Sequence, residues 1–268
     1  MAKCQILLTN DDGIQSPGLW AAAEALSDLG FVTVAAPREQ SSGVGRSMPF
    51  NSDGIIRPEV LQVRGKEWTV YAVGGTPAQA VLHGVLEIMP ARPDLVVSGI
   101  NYGENLADGV SISGTVGAAM EGAALGIPSL AVSLETSKEH FLSYSREVDF
   151  STAASFTAYF ARQLLEKKCP VDVDLLKVDV PCDATPETPW QITRLSRQLY
   201  FVPRAVARKS WEEPSKLDYH VAPILEGEPE DSDVYVVHSK RHVSVTPLSL
   251  DFTSRVDFEE LDHVLRSN

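Results

Sequence analysis

Ile6-Leu7-Leu8-Thr9-Asn10-Asp11-Asp12-Gly13 decides how this chain is read: an apolar run stops abruptly on an amide and two carboxylates. A short apolar run near the start, followed by turn residues and then by helical spacing, predicts the first buried strand of an α/β sheet. Such sheets bind ligands beyond the carboxyl ends of their strands, which places Asp11 and Asp12 in that crevice. Neighbours on a strand point to opposite faces, so both acids can serve one site only if the chain turns there, and Gly13 permits the turn. Asp-Gly is also an ordinary turn signal, so the octet alone leaves a plain strand-to-helix turn open beside the chemical reading.

Outward from this stretch the pattern continues. Leu19, Ala22, Ala23, Leu26 and Leu29 recur at helical spacing, with Gly30 where a helix C-terminal glycine is expected. Phe31 to Ala36, ended by Pro37, completes a strand-helix-strand unit and implies a parallel pair with a right-handed crossover. Arg38 to Pro49 then forms a polar loop on the same edge as the two acids. Its Gly43 and Gly45 do not make a dinucleotide fingerprint, and the absence of a Gly-Lys-Ser/Thr ending excludes a Walker-type phosphate loop. Val60 to Val63 and Trp68 to Val73 read as two strands, a hairpin around Gly65. Thr76 and Pro77 supply an N-cap and a first-turn proline for a helix that buries Ala78, Val81, Leu82, Val85 and Ile88. His83 beside that face reads as a packed helix residue, since no partner stands at metal-ligand spacing.

Asp94 to Asn101 repeats the opening design, a buried strand ending on small and amide residues. Ser113-Gly114-Thr115 then starts a helix with Val116, Ala119, Met120 and Ala123 inward, and its N-H groups and hydroxyls suit an anion as well as an ordinary cap. Ser129 to Leu134 is another strand, polar Glu135 to Asp149 marks a change of module or a lid, and Ala153, Phe156, Phe160 and Leu164 define a further helix. Leu175 to Val180 is again a strand. From Pro181 the texture changes to short β-like runs punctuated by proline, with an acidic loop at Glu226 to Asp233 and strands at Val234 to His238 and from Val243. On a strand His238 and His242 would stand about 13 Å apart, too far to share a zinc ion. The expected division is a core over 1–180 and a C-terminal region over 181–268.

Composition bounds the function. The 268 residues are 44% hydrophobic, enough for a sizeable core, and 36 Asp and Glu against 23 Lys and Arg give a formal charge of −13. That balance argues against a nucleic-acid partner held through a basic surface. Cys4, Cys169 and Cys182 are widely spaced and form no Cys-x-x-Cys pair, so neither a disulfide framework nor a zinc knuckle is indicated. No apolar run reaches membrane-spanning length and no signal-peptide pattern opens the chain, so a soluble cytoplasmic protein with no membrane partner is expected.

Three strand ends thus deliver Asp11, Asp12, the Ser41 and Ser42 hydroxyls, and Asn101. All are oxygen donors and suit a hard divalent cation such as Mg²⁺ or Mn²⁺. A metal beside an anion cradle at Ser113 to Thr115 points to phosphoryl chemistry on a small anionic substrate.

In these segments the chain resembles the SurE (survival protein E) family of metal-dependent nucleotidases. The resemblance is carried by Ile6 to Gly13 with Pro17-Gly18, Ala36-Pro37 with Ser42-Gly43, and Gly75-Thr76-Pro77. Val96 to Asn101 with Gly103 and Asn105, Ser113 to Ala119 with Glu121-Gly122, and Ser244 to Leu248 carry the rest. Pro186 to Gly227 matches only loosely. The resemblance implies a three-layer α/β/α Rossmann-like core with a mostly parallel sheet, and a smaller, β-containing C-terminal region that takes part in a homodimer or homotetramer. It implies hydrolysis of nucleoside monophosphates, as a 5'-nucleotidase with 3'-nucleotidase and exopolyphosphatase activity as further options. It places one divalent metal per subunit on Asp11, Asp12, Ser42 and Asn101, catalysis on Asp11 and Asp12, and the phosphate on Asn105, Ser113, Gly114 and Thr115. Ser42 is chosen over Ser41 because the family's serine directly precedes the glycine. Ile112, Tyr102, Glu104 and Gln79-Ala80 depart from the usual residues and bear on substrate preference. A non-catalytic nucleotide- or metal-binding module and a metal-dependent transferase using a nucleotide donor remain alternatives at this point.

Overall fold

The computed structural model describes residues 3–63, 66–140, 145 and 147–267. Strand β1 (Cys4–Thr9) is the centre from which both layers grow. Leu7 faces one apolar cluster and Ile6 and Leu8 the other, all fully buried, so the strand is covered on both sides. It pairs in parallel with β2 (Gly30–Pro37) on one side and with β5 (Leu95–Tyr102) on the other. Beyond β2 lie β4 (Lys66–Val73), parallel to it, and β3 (Ile56–Val63), antiparallel to β4. Beyond β5 follow β6 (Ser129–Leu134) and β7 (Leu175–Val180), both parallel. The sheet continues with β8 (Trp190–Ile192) and β11 (Val243–Leu248), giving nine strands in the order β3-β4-β2-β1-β5-β6-β7-β11-β8. β11 runs antiparallel to β7 and parallel to β8, so the last third of the chain extends the same sheet. A separate two-stranded ribbon joins β9 (Phe201–Arg204) and β10 (Asp218–Val221).

Helices α1 (Pro17–Leu26) and α4 (Ser151–Glu166) pack together over one face, and α2 (Pro77–His83) and α3 (Gly114–Ala124) over the other. The predicted inward sets of α3 and α4 are buried as expected. Thr76 caps α2 through a reciprocal capping box in which its side chain accepts from the Gln79 amide. The architecture is the expected three layers with a mainly parallel sheet. Among the described residues no helix is long and apolar enough to cross a membrane.

Several boundaries differ from expectation. α1 stops at Leu26, and Gly30 starts β2 instead of ending the helix; a Cβ there would stand 2.3 Å from the Cys4 carbonyl oxygen, so close strand pairing requires the glycine. The hairpin exists, but β3 begins earlier, at Ile56, and Gly65 lies outside the described residues. Past His83 the helix widens into a π-turn over Gly84–Ile88, which rotates its face and leaves Val85 and Ile88 half-buried; Leu82, in the α-helical part, is half-buried too. Glu135 to Asp149 opens no new module, because β7 rejoins the same sheet; 141–144 and 146, where a lid was expected, lie outside the described residues. Val234 to His238 is a helix, α5 (Asp233–His238), not a strand. The Ser232 hydroxyl caps it by accepting from the Tyr235 amide, and burial of Val234, Val236 and Val237 overrides the β preference of a valine-rich run. The spacing argument for His238 and His242 on a strand therefore lapses.

Candidate functional site

Strand order steps from β1 outward to β2 on one side and to β5 on the other, which makes the crevice between β1 and β5 the topological switch point. At that place β1 ends and the chain turns. Asn10 clamps the turn: its side-chain amide donates to the Gly13 carbonyl and its oxygen accepts the Gly13 amide, both at 3.1 Å. Gly13 has φ of 97°, open to glycine and strained for other residues. The turn places Asp11 and Asp12 in one cavity of about 640 Å³.

Ser42, Asn101, Asn105 and Ser113 line the same cavity. Ser41 does not; it lines a smaller pocket with Arg38 and Asp53, while its backbone amide donates to the Asp11 carbonyl at 2.7 Å. The Asn101 side-chain amide donates to the carbonyls of Tyr102 and Gly103, which leaves its oxygen as the donor atom for a cation. Gly114 and Thr115 stand behind the cavity wall, against Asp11. The Thr115 hydroxyl donates to Asp11 Oδ1 at 2.6 Å, and a Cβ on Gly114 would come within 2.7 Å of the Asp11 side chain. The start of α3 thus steadies a carboxylate. Asn105 is pinned from behind, its backbone amide on Asp179 and its side-chain amide on Ser133 Oγ at 2.7 Å.

Asp12 accepts the Tyr102 backbone amide at 3.2 Å and the Gln40 side chain at 3.3 Å. Burial raises the pKa of Asp11 despite the Thr115 and Gly114 hydrogen bonds. Burial raises Asp12 further, and the adjacent Asp11 charge adds to it. Two buried acids in contact resist joint ionisation unless a cation joins them. With the Asn101 oxygen and the Ser42 hydroxyl they form a hard, all-oxygen donor set, which fits Mg²⁺ or Mn²⁺. A second acidic cluster, Glu135 with Cys182 and Asp183, is already served by a cation of the protein: the Arg241 guanidinium donates to both carboxylates.

The opposite wall of the cavity was not legible as part of the site. Leu199, Phe201, Pro203, Leu217 and Tyr219, from β9, β10 and their flanks, give it an apolar lining. Glu104, 8% exposed, also lines the cavity and links its two parts, following Asn101 on the loop after β5 and bonding to Tyr200 beside Phe201. One of its oxygens accepts from the Tyr200 hydroxyl at 2.7 Å, and Tyr200 in turn meets His238 Nε2. The only sequence signal for this wall was the aromatic pair Tyr200-Phe201, in a stretch that matched the family loosely.

Fold and site together define a doubly wound α/β protein with an acidic, oxygen-lined ligand cavity at its switch point. Comparison with known proteins narrows this class. The family described as Survival protein SurE matches residues 6–201. A protein named 5'-nucleotidase SurE from Methanocella arvoryzae is 42% identical over 269 residues, spanning 98% of either chain. One of the same name from Thermococcus gammatolerans is 43% identical over 263 residues, covering 97% of this chain and 96% of its own. Among solved structures, the crystal structure of the SurE protein from Aquifex aeolicus superposes with a TM-score of 0.71 at 31% identity, covering 98% of this chain and all of that one. The chain belongs to the SurE family.

Proposed function

We propose that this protein is a metal-dependent phosphomonoesterase that hydrolyses nucleoside monophosphates, a 5'-nucleotidase. The observation that carries the reading is the make-up of the one cavity: paired buried carboxylates at one end and an apolar, aromatic wall at the other. Only a substrate with a charged head and a flat apolar body satisfies both ends, and relatives named 5'-nucleotidase over nearly the full chain agree with it.

Asp11, Asp12, Ser42 and Asn101 would hold one divalent cation, Mg²⁺ or Mn²⁺. When bound, it supplies the Lewis acidity that activates a water and offsets phosphate charge. The chain's own groups do the rest. Thr115 fixes the Asp11 carboxylate, so Asp11 acts as a rigid ligand. Asp12, held by the longer contacts to Gln40 and Tyr102, accepts the proton of the attacking water. Asn105 and Ser113 on the cavity wall bind the phosphate oxygens, while Gly114 and Thr115 behind it hold Asp11 in place beside them.

Phosphate release is the direct test. After EDTA treatment no nucleoside monophosphate is turned over, and adding Mg²⁺ or Mn²⁺ restores release from the 5'-monophosphates; a panel with 3'-monophosphates and short polyphosphate ranks the substrates. Release that survives chelation defeats the metal-dependent reading, and release from no substrate defeats the hydrolase.

The proposal extends to assembly and location. Residues 1–180 carry the catalytic core, and 181–268 complete the fold and build a homodimer or homotetramer. Helix α6 (Phe258–Arg266) supports this: it buries no residue, and Phe258, Leu261, Val264 and Leu265 form an exposed apolar stripe. Leu261→Glu with Leu265→Glu lowers the sedimenting mass of an oligomeric wild type; a wild type that sediments as a monomer refutes the assembly. The three unpaired cysteines fit a reducing compartment, the cytoplasm.

A further inference from the structure

Glu104 is a buried carboxylate that the proposed chemistry does not use. Tyr200 donates to its Oε1, whereas its Oε2 is buried without a hydrogen-bond partner. An acceptor left unmet inside a protein is destabilising and calls for an explanation. The direction of the hydrogen bonds keeps Glu104 an acceptor: the single Tyr200 proton goes to it, so His238 Nε2 is the donor to the tyrosine oxygen. His238 is braced at its other nitrogen by Glu135, 3.3 Å away, and Glu135 is held by Arg241. Four residues therefore fix Glu104 in one position.

That position is tied to both parts of the lining. Glu104 follows Asn101 by three residues on the loop after β5, and its anchor Tyr200 immediately precedes Phe201 of the apolar wall. A nucleotide has the same order, phosphate, then sugar, then base. Phe201 and Tyr219 meet edge to face with centroids 5.6 Å apart, an aromatic surface for the base. The group opposite Glu104 is then the sugar, whose hydroxyls are hydrogen-bond donors, and a carboxylate accepting from ribose hydroxyls is a recognition used by other α/β nucleotide sites.

We infer that Glu104 is the sugar-reading residue of this cavity, accepting a hydrogen bond from a ribose hydroxyl and favouring ribonucleotides over their deoxy counterparts. The inference rests on the nucleotidase reading and assigns the middle of the site that reading left open. Tyr200 and His238 act as positioning residues, holding the carboxylate without touching substrate.

The test compares kcat/KM for ribonucleoside 5'-monophosphates with that for their 2'-deoxy and 3'-deoxy analogues, in wild type and Glu104→Gln, with Mn²⁺ present. In wild type one of the two deoxy changes lowers kcat/KM about tenfold or more, mainly through KM, as loss of a charged hydrogen bond does. Glu104→Gln brings the ribonucleotide within about twofold of that deoxy analogue. Discrimination absent in wild type, or retained in Glu104→Gln, including retained through an equal fall on every substrate, overturns the inference. If Glu104→Gln does not fold by circular dichroism, Tyr200→Phe carries the test: weaker discrimination supports the role and unchanged discrimination refutes it. Should wild type release no phosphate at all, the hydrolase reading fails by itself. Calorimetric binding of the unphosphorylated ribo- and deoxynucleosides to the two proteins then decides on Glu104, by the same ratio.

Discussion

Asp12→Asn lowers phosphate release by about a thousandfold while the metal-free variant melts at or above the temperature of wild type. The two halves of this result have one cause. Asp12 is 2% exposed and stands beside Asp11, so its charge is costly to the apoprotein and useful only with a cation. An amide of the same size removes the repulsion and keeps one acceptor oxygen, which stays on the Tyr102 amide while its NH2 faces Gln40. The pH dependence follows from the sign of the shift. Burial, and then the Asp11 charge, raises the folded-state pKa above the unfolded value of 3.8, so the folded form holds the proton more tightly. This group's contribution is therefore most favourable in acid and is lost as pH rises from about 4 through the raised pKa. In EDTA the melting temperature of Asp12→Asn gains on that of wild type over this range; with Mn²⁺ the order reverses, because the cation binds the ionised pair. Thermal melts from pH 4 to 8, with and without metal, measure both trends. A variant that turns over normally removes Asp12 from the chemistry, and one that loses ground to wild type as pH rises in EDTA contradicts the electrostatic account.

Much of this site was legible in the sequence because local rules placed it. A strand that ends on polar residues marks a carboxyl edge, and Asp11, Asp12 and Asn101 all lie at such ends. The alternation of strands and helices followed from apolar periodicity, as in α4, where Ala153, Phe156, Phe160 and Leu164 are all buried, and the three layers from the family resemblance. What escaped depends on contacts distant in sequence. Tyr200 reaches Glu104 across 96 residues, and no local pattern announces that the ribbon of β9 and β10 closes the cavity. Asp233 was read as part of an acidic loop, yet it is fully buried and accepts from the backbone amides of Ala107 and Ser196. One signal was available: Lys177 and Asp179 sit two apart on a strand with apolar neighbours, so they share a face, and two opposite charges on a buried face imply an ion pair.

Lys177→Met tests the weight of that pair and gives the largest expected loss of stability. Lys177 is fully buried, with its ammonium bonded to Asp179 and, at 3.1 Å, to Asp233. Burial works to strip its proton, but the two carboxylates outweigh it and hold the pKa above the ordinary lysine value. Removing the ammonium leaves two carboxylates enclosed together, and breaking a buried pair in this way costs about 3–5 kcal/mol. The damage is not confined to stability. Asp179 also accepts the Asn105 backbone amide, and Asp233 accepts those of Ala107 and Ser196, so the same ion triad ties the cavity loop at 104–107 to the C-terminal part of the chain. Urea unfolding of Lys177→Met therefore shows a lower midpoint, and metal-restored turnover falls through KM as Asn105 loses its brace. Adding Asp179→Asn and Asp233→Asn relieves the uncompensated charge and recovers part of the stability without restoring the position of Asn105. If Lys177→Met unfolds at the wild-type midpoint, the triad is not what joins the cavity loop to the C-terminal region.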